Sequence, residues 1–528
     1  MARQAQAEEL RSVNPATLEP VGAVEVSPPE EVAEVVAEAR LAAERWAQSS
    51  FGERRALLGR VAAELLDAAD ELASTVTAET GKPLVESYTA ELFVALDNLV
   101  WAASNAGRVL RPERVRYPQP HLRHKRGRLL YEPLGVIGVI SPWNFPFGIP
   151  LTQAAFAVAA GNAVVVKPSE LTPLSGAWVE RVFRAAGAPV GLVRVVQGGG
   201  ETGESLVRAP GVAKVVFTGS GAIGRLVAAA AGERLRPVTL ELGGKDPMLV
   251  FEDADLDRAV AGALWGSFSN CGQVCSAVER IYVARPLHEA FVEELVRRAR
   301  GLRIGDGREL QTELGPLVAE ERRDHVEELV ADAVARGGEL RTGGSRPDLE
   351  LPGWFYEPTV LTGVDREARI EREEIFGPVV TVASFGDEDE AVRLANGSSF
   401  GLGASVWTSD LERARRLALR LDAGSVWTND VSYSYGTGQA SWGGTKESGF
   451  GRTHSKHGLY ELSRVKFADL DRGRVPVPWW YPYDEGVLDG FRGMAGVLYG
   501  DGPGRKLEAA WRHRRGLLRL GRRYLSGS

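Results

Sequence analysis

Two rhythms of apolar residues alternate along this chain. From Pro29 onward, Val32, Val35, Val36, Ala39, Ala43 and Trp46 recur at three- and four-residue spacing, which predicts an amphipathic helix. Similar spacing predicts helices through 53–78 and 84–105, after short extended segments at 13–26 around the Asn14-Pro15 turn. Basic, Pro-rich text at 111–128 reads as a crossing between domains. The rhythm then changes to short, continuous apolar runs at 135–140, 163–168, 193–196, 214–217 and 237–241. Helical stretches at 150–160, 174–186 and 221–231 separate them. Buried runs alternating with helices predict a parallel sheet built from βαβ units. A second series begins near 246. Its expected strands are 248–251, 280–283, 379–385 and 403–407, and its helices 286–301, 317–336, 387–396 and 410–421. Residues 463–470 alternate like one more strand, 476–483 is aromatic and Pro-rich, and 505–525 reads as a basic helix.

Length and composition narrow the class. A chain of 528 residues corresponds to about three domains or subdomains. Hydrophobic residues make up 44% and charged residues 25%, enough apolar material for a sizeable core and too much for wholesale disorder. No apolar run is as long as a bilayer span. The opening MARQAQAEEL is polar and has no signal-peptide core, so a bacterial-type cytoplasmic protein is expected. The formal charge of −7 argues against general nucleic-acid affinity. Two cysteines, Cys271 and Cys275, cannot make a disulfide scaffold. Histidine is sparse nearby, so no metal site is expected.

Several short motifs carry candidate chemistry, each with a plainer alternative. Gly219-Ser220-Gly221-Ala222-Ile223-Gly224 fits a glycine-rich turn between strand and helix, where backbone N–H groups can receive a pyrophosphate. It also fits an ordinary βα turn. Cys275 is either a nucleophile or a small buried residue. Glu241 ends an apolar strand before Leu242-Gly243-Gly244-Lys245. It reads as a general base, as the ribose acid of a dinucleotide fold, or as a solvated acid. Asn144 follows a buried strand, where α/β folds place ligands. It could donate to an oxyanion or simply stabilise a turn between prolines. Lys167 and Glu170 could meet a ribose or form a surface ion pair.

Taken together, NPAT, ETGKP, SPWNFP, KPSE, FTGS, LELGGK, GQVC, EEIFGPV and GGTKESGFGR occur here in one order. From about Asn14 to about Leu470 the chain resembles the aldehyde dehydrogenase superfamily, the NAD(P)-dependent hydrolytic kind. The resemblance implies an α/β fold: a Rossmann-like dinucleotide-binding domain, a second α/β catalytic domain and a small β oligomerisation element. The implied boundaries are 1–111 with 134–243 for NAD binding, 244–458 for catalysis, 112–133 with 459–471 for bridging strands, and 472–528 for a C-terminal extension. It makes Cys275 the nucleophile, Glu241 the general base rather than the ribose acid, and Asn144 an oxyanion donor beside the Cys275 N–H. A thiohemiacetal and a thioester on the cysteine lead to a carboxylic acid, because relatives that pass the acyl group to coenzyme A commonly lack the base. Lys167 and Glu170 fall on the adenosine ribose, Glu374 on the nicotinamide ribose, and Ser220 on the pyrophosphate. Ile140, Trp143, Ser169, Gly203, Gly219, Gly224, Leu242, Gly243 and Phe376 complete the implied cofactor set. Glu170 leans the cofactor toward NAD, and Lys167 leaves NADP use open.

Phe145, Phe147, Ile149, Val274, Tyr433, Tyr435 and Trp442 are the candidate walls of a substrate tunnel. These residues are apolar and aromatic, with no arginine for a second carboxylate, so a broad range of aliphatic or aromatic aldehydes is expected as substrate. A semialdehyde substrate of the succinate-semialdehyde type is the alternative. The same three catalytic groups would also support a thiol esterase, as side or main activity, and a scaffold that lost the chemistry is a third class. The strand at 463–470 pairs across subunits in the family, which implies a homo-oligomer, dimer or tetramer. The tail from 505 carries eight Arg/Lys against one acid, Glu508. It is expected to pack on a neighbouring acidic subunit or cover the tunnel. A membrane-surface helix ranks second, and nucleic-acid binding last.

Overall fold

A computed structural model describes residues 8–122, 124–471, 473 and 477–526 of the chain. The chain divides into two compact units. One holds residues up to Leu110 together with Glu132–Arg464, and the other holds Arg111–Tyr131 together with the chain from Val465.

Both predicted sheets lie in the first unit. In one, the order is Gly449–Phe450, Val238–Glu241, Val212–Thr218, Val136–Ile140, Ala163–Lys167, Val193–Val195. All neighbours run parallel except the short Gly449–Phe450 edge. The chain builds outward from Val136–Ile140 in one direction, then returns to its other side with Val212–Thr218. The carboxyl ends of these two strands therefore flank a topological switch point, the place where such sheets open a ligand crevice. The second sheet has seven strands, in the order Glu339–Thr342, Thr359–Thr362, Val379–Phe385, Val278–Ala284, Asp246–Val250, Gly403–Trp407, Ser425–Thr428. It is parallel apart from its Glu339–Thr342 edge. Only Leu242–Lys245 separates the last residue of Val238–Glu241 from the first of Asp246–Val250. That link holds Glu241 at the border between the two sheets.

The helix Pro29–Trp46 buries the residues its spacing singles out: Val32, Val35, Val36, Ala39, Ala43 and Trp46. The 53–78 pattern divides into Phe51–Asp67, started by a reciprocal Ser50–Glu53 capping box, and Ala69–Thr80. The 84–105 pattern extends over Leu84–Val109 but widens into a π-turn at Ser87–Leu92. That turn buries Ser87, Glu91 and Leu92, and π-turns often mark functional positions. The strands Thr359–Thr362 and Ser425–Thr428 are too short to show a period, and the Leu256–Phe268 helix is rich in Ala and Gly. None of the three stood out by pattern.

Glu113–Arg114, Gly127–Pro133 and Ser463–Asp469 form a three-stranded sheet, most of whose residues belong to the second unit. The tail is a helical hairpin. Glu485–Tyr499 packs against Gly502–Arg512 and Arg514–Ser526. The single basic helix expected at 505–525 is thus two helices broken at His513, whose Nδ1 lies 2.6 Å from Asp489 Oδ1. Four glycines hid the Glu485–Tyr499 helix, because glycine disfavours helix on its own. Here they permit close approach: a Cβ at Gly493 would sit 2.8 Å from Leu517 Cγ, and one at Gly496 2.3 Å from Ala509 Cβ. The aromatic cluster divides. Trp479 meets the edge of His121, whereas Trp480, Tyr481 and Tyr483 are exposed. The start of that stretch, at 476, lies outside the described residues. No helix among the described residues is long and apolar enough to cross a membrane.

Replacing Gly493 with Leu should separate the hairpin. Limited proteolysis is expected to cut 485–526 at least tenfold faster while the denaturant midpoint of the main unit is unchanged. Equal proteolysis rates would contradict this packing.

Candidate functional site

Cys275 sits between the Leu256–Phe268 helix and the Val278–Ala284 strand. The turn leading to it is strained, with Asn270, Cys271 and Gly272 all at positive φ (48°, 57° and 69°). Its surroundings hold this turn from several sides. Asn270 Nδ2 donates to Asn144 O (3.0 Å) and Gln273 O (3.2 Å), and Asn270 N donates to Glu86 Oε2 (2.9 Å). The Gln273 side chain donates to Asn270 O and Pro316 O and accepts from Val318 N. A Cβ at residue 272 would lie 2.0 Å from Gly377 O, so only glycine fits. Cys271 is buried in the core of the second sheet and leaves Cys275 as the sulfur facing the clefts.

The residues at 144, 241 and 275, far apart in sequence, line one cleft of about 150 Å³. Cys275 Sγ is 3.6 Å from Glu241 Oε1. Glu241 is 1% exposed, and three groups donate to it: the Cys275 thiol, Trp442 Nε1 to Oε1 (2.7 Å), and Thr218 Oγ1 to Oε2 (3.3 Å). Burial raises its pKa against those hydrogen bonds. Burial also raises the Cys275 thiol, helped by the negative fields of Glu241, Asp246 and Glu374. The resting sulfur is therefore a neutral thiol aimed at a carboxyl, and the nucleophilic thiolate forms only when a base takes its proton.

Asn144 Nδ2 donates one hydrogen to Gln273 O (3.0 Å), leaving its second N–H uncommitted, and Oδ1 has no partner. Its carbonyl accepts from Lys82 Nζ at 2.6 Å. Lys82 also pairs with Glu91 Oε1 at 3.0 Å, with both side chains at most 1% exposed. Glu91 Oε2 in turn accepts from Gly148 N (2.5 Å) and Phe147 N (3.3 Å) at the start of the Gly148–Ala160 helix. ETGKP thus contributes a buried cation that fixes Asn144 from below, a role its local sequence pattern did not announce.

A second cavity, of about 720 Å³, opens at the switch point. Ile140, Trp143, Lys167, Ser169, Glu170, Gly203, Gly219 and Ser220 line it, while Leu242, Gly243, Glu374 and Phe376 line the smaller cleft. Gly224 lines neither. A Cβ there would meet Leu242 Cδ2 at 2.5 Å, so this glycine lets helix Gly221–Gly232 lie on Leu242 and does not touch the crevice. Ser220 caps that helix by accepting from Ile223 N, with the helix start facing the cavity. Lys167 Nζ donates to Gly198 O (2.8 Å) and Glu170 Oε2 (3.3 Å). A helix start, a capping serine and an ammonium–carboxylate pair in one crevice suit a dinucleotide's phosphates and ribose hydroxyls.

Glu374 Oε1 accepts from Gly244 N (2.9 Å), and burial and the nearby Glu279 push its pKa up to about 8. The buried Lys245–Glu279 pair (2.6 Å) anchors this segment, because Glu279 also accepts from Ile375 N and Phe376 N. Sequence reasoning missed Arg322. It lines the same cleft with an unpartnered, buried Nε and its guanidinium 5.8 Å from the Phe376 ring centre.

The third cavity, of about 760 Å³, also reaches Cys275. Phe145, Ile149, Val274, Tyr433, Tyr435 and Trp442 line it. Phe147 does not. It is fully buried, because its backbone is turned inward to Glu91. Phe93, Val94 and Val100, from the helix after the π-turn, and Trp265 supply walls that no motif indicated. The charged residues in this lining are Glu86, which burial pushes up to about 7, and Asp97.

Comparison with known proteins agrees in sequence and in fold. The pattern of the aldehyde dehydrogenase family matches residues 2–468. A betaine aldehyde dehydrogenase of Sinorhizobium fredii is 39% identical over 471 residues, covering 89% of this chain and 95% of that protein. One of Bacillus subtilis is 39% identical over 487 residues, covering 90% and 97%. The NAD+ complex of an aldehyde dehydrogenase from Bacillus cereus superposes with a TM-score of 0.84 at 35% identity, over 88% of this chain and 94% of that one. The NAD-dependent aldehyde dehydrogenase of Sinorhizobium meliloti gives 0.86 at 37% identity, over 90% and 93%.

Two outcomes are expected from the buried charges. Lys82→Met leaves Glu91 without its cation and should cost about 3–5 kcal/mol in denaturant unfolding. A loss below about 1 kcal/mol would contradict the pairing. Asp246 is 2% exposed, and burial pushes its pKa up to about 8, against about 4 in an unfolded chain. The folded state therefore holds an extra proton between those values. That stability is fully present below about pH 4 and is lost as pH rises toward about 8, with a slope of up to about 1.4 kcal/mol per unit. Asp246→Asn should flatten this slope in urea titrations across that range, and an unchanged slope would contradict the assignment.

Proposed function

The chain belongs to the aldehyde dehydrogenase family and is an NAD-dependent oxidoreductase of aldehydes, and from that premise we propose which residues perform the reaction and on what substrate. Cys275 is the nucleophile, Glu241 the general base and Asn144 an oxyanion donor. The observation that carries this is the meeting of Cys275 Sγ and Glu241 Oε1 at 3.6 Å, in a cleft that Asn144 also lines.

As the sulfur adds to the aldehyde carbonyl, a C–S bond forms and the thiol proton passes to the Glu241 carboxylate. The carbonyl oxygen becomes an oxyanion, and the uncommitted Asn144 N–H and the Cys275 backbone N–H stabilise it. When bound, the nicotinamide supplies the hydride acceptor that leaves a thioester on Cys275. Glu241, having returned its first proton to solvent, takes a proton from water. The resulting hydroxide adds to the thioester, the C–S bond breaks, the sulfur regains a proton, and a carboxylic acid leaves. Lys167, Ser169 and Glu170 are proposed to hold the adenosine ribose, Ser220 and its helix start the pyrophosphate, and Glu374 the nicotinamide ribose. The Glu170 carboxylate disfavours a 2′-phosphate, while the Lys167 ammonium beside it leaves some NADP turnover. Ester hydrolysis by the same groups is a side activity.

For substrate, the aromatic and aliphatic lining of the 760 Å³ cavity favours an aldehyde with an uncharged aliphatic or aromatic tail. Its acids, Glu86 and Asp97, disfavour a second carboxylate on the substrate. Those acids and the rings of Phe145, Tyr433 and Trp442 also support a second reading, a quaternary-ammonium aldehyde. Two relatives bear a betaine aldehyde name. A homo-oligomer and a reducing, cytoplasmic setting that keeps Cys275 a free thiol complete the proposal.

Absorbance of the reduced nicotinamide tests these assignments across hexanal, benzaldehyde, betaine aldehyde and succinate semialdehyde, with NAD and NADP in parallel. The succinate compound is expected at least tenfold below the best in kcat/KM, and NAD ahead of NADP. Cys275→Ala should abolish turnover, and Asn144→Ala should lower kcat about 10²–10³-fold. Unchanged oxidation by Cys275→Ala, or succinate semialdehyde as best substrate, would refute the corresponding part.

A further inference from the structure

We propose that Trp442, besides walling the substrate cavity, is a positioning residue for the reaction: its indole N–H fixes Glu241 Oε1 beside the Cys275 sulfur and keeps that carboxyl ready to accept a proton. The proposal rests on the reading of Glu241 as general base.

The geometry is specific. Trp442 is fully buried, yet it lines the 760 Å³ cavity. Its Nε1 donates to Glu241 Oε1 at 2.7 Å, the same oxygen that stands 3.6 Å from Cys275 Sγ. The opposite carboxylate oxygen takes only the longer Thr218 contact. An indole N–H can donate and never accept, so it discriminates in favour of the carboxylate that has lost its proton.

The indole itself cannot drift. Trp442 N donates to Thr453 O (2.9 Å), and Thr453 N returns a bond to Trp442 O (2.8 Å). The Tyr435 ring meets it edge-on at 5.3 Å and 90°, and Trp427 stacks at 6.3 Å. Trp427 is tied by its own N–H to Ser434 Oγ at 3.0 Å. Two aromatic rings and a backbone bridge thus aim one N–H at one oxygen.

The titratable groups facing Glu241 are the Cys275 thiol and the Tyr435 phenol. Burial holds both well above neutrality, so neither supplies a positive charge. Asp246 and Glu374 act on the same thiol, and neither can supply a positive charge. Among the described groups in contact with Glu241, Trp442 makes the shortest bond, and it opposes the burial that favours the acid form.

The test is a pH profile of kcat and KM for benzaldehyde with saturating NAD, comparing the wild type with Trp442→Phe and Glu241→Gln. Trp442→Phe keeps an aromatic wall and removes the N–H. The acid limb of kcat should move up by about one pH unit, so that kcat on that limb falls by up to about tenfold, with KM within about twofold. A rise in KM with an unmoved acid limb overturns the proposal and leaves Trp442 a wall only. Should Trp442→Phe not fold, replacing the indole with its benzothiophene isostere removes the donor at constant shape, and the same shift is expected. If Glu241→Gln retains wild-type kcat and pH profile, the general-base reading has failed. If Glu241→Gln loses activity while the Trp442 variants keep the wild-type limb, only the present inference has failed.

Discussion

A thiol and a carboxyl are held 3.6 Å apart in surroundings where both resist ionising. An isolated thiol in such a place would be inert, and an isolated carboxyl would keep its proton. Together they form an acid–base pair that shares one negative charge, so that one proton can move between sulfur and oxygen without a second charge appearing. Much of the local structure makes that pairing tolerable. Trp442 and Thr218 donate to the carboxyl, the strained Asn270–Gly272 turn delivers the sulfur, and the 760 Å³ cavity and the 150 Å³ cleft both reach it.

Those contacts are placed by topology more than by local sequence. The switch point of the six-stranded sheet opens a crevice above Ile140 and Thr218, and the four-residue link from Glu241 to Asp246 ties that crevice to the second sheet. Buried ion pairs then lock the pieces. Lys82–Glu91 supports the Asn144 carbonyl and the start of the Gly148–Ala160 helix, and Lys245–Glu279 supports the turn at Ile375 and Phe376. Such pairs contribute little net stability, but each fixes a position that a mobile side chain would blur.

Much of this was legible in the residues themselves. Continuous apolar runs such as Ala163–Lys167 announced the parallel strands, because burial on both faces leaves no reason to alternate. The ordered motifs carried Cys275, Glu241 and Asn144. What stayed hidden depended on distant partners. Nothing near Trp442 reveals that its N–H finds a carboxyl 201 positions away, and nothing near Lys82 reveals Asn144. Phe147 and Gly224 show the converse. Each sits within a recognisable motif, yet one serves the interior and the other helix packing. The Glu485–Tyr499 helix was masked by the glycines that let it pack.

The central claim is covalent chemistry at one sulfur, and trapping tests it most directly. Glu241→Gln enzyme mixed with NAD and benzaldehyde, quenched within seconds and digested, should yield the peptide containing residues 271 and 275 with a benzoyl mass increment. Fragmentation should place that increment on Cys275. An unmodified peptide despite formation of reduced nicotinamide, or an increment on Cys271, would contradict the account.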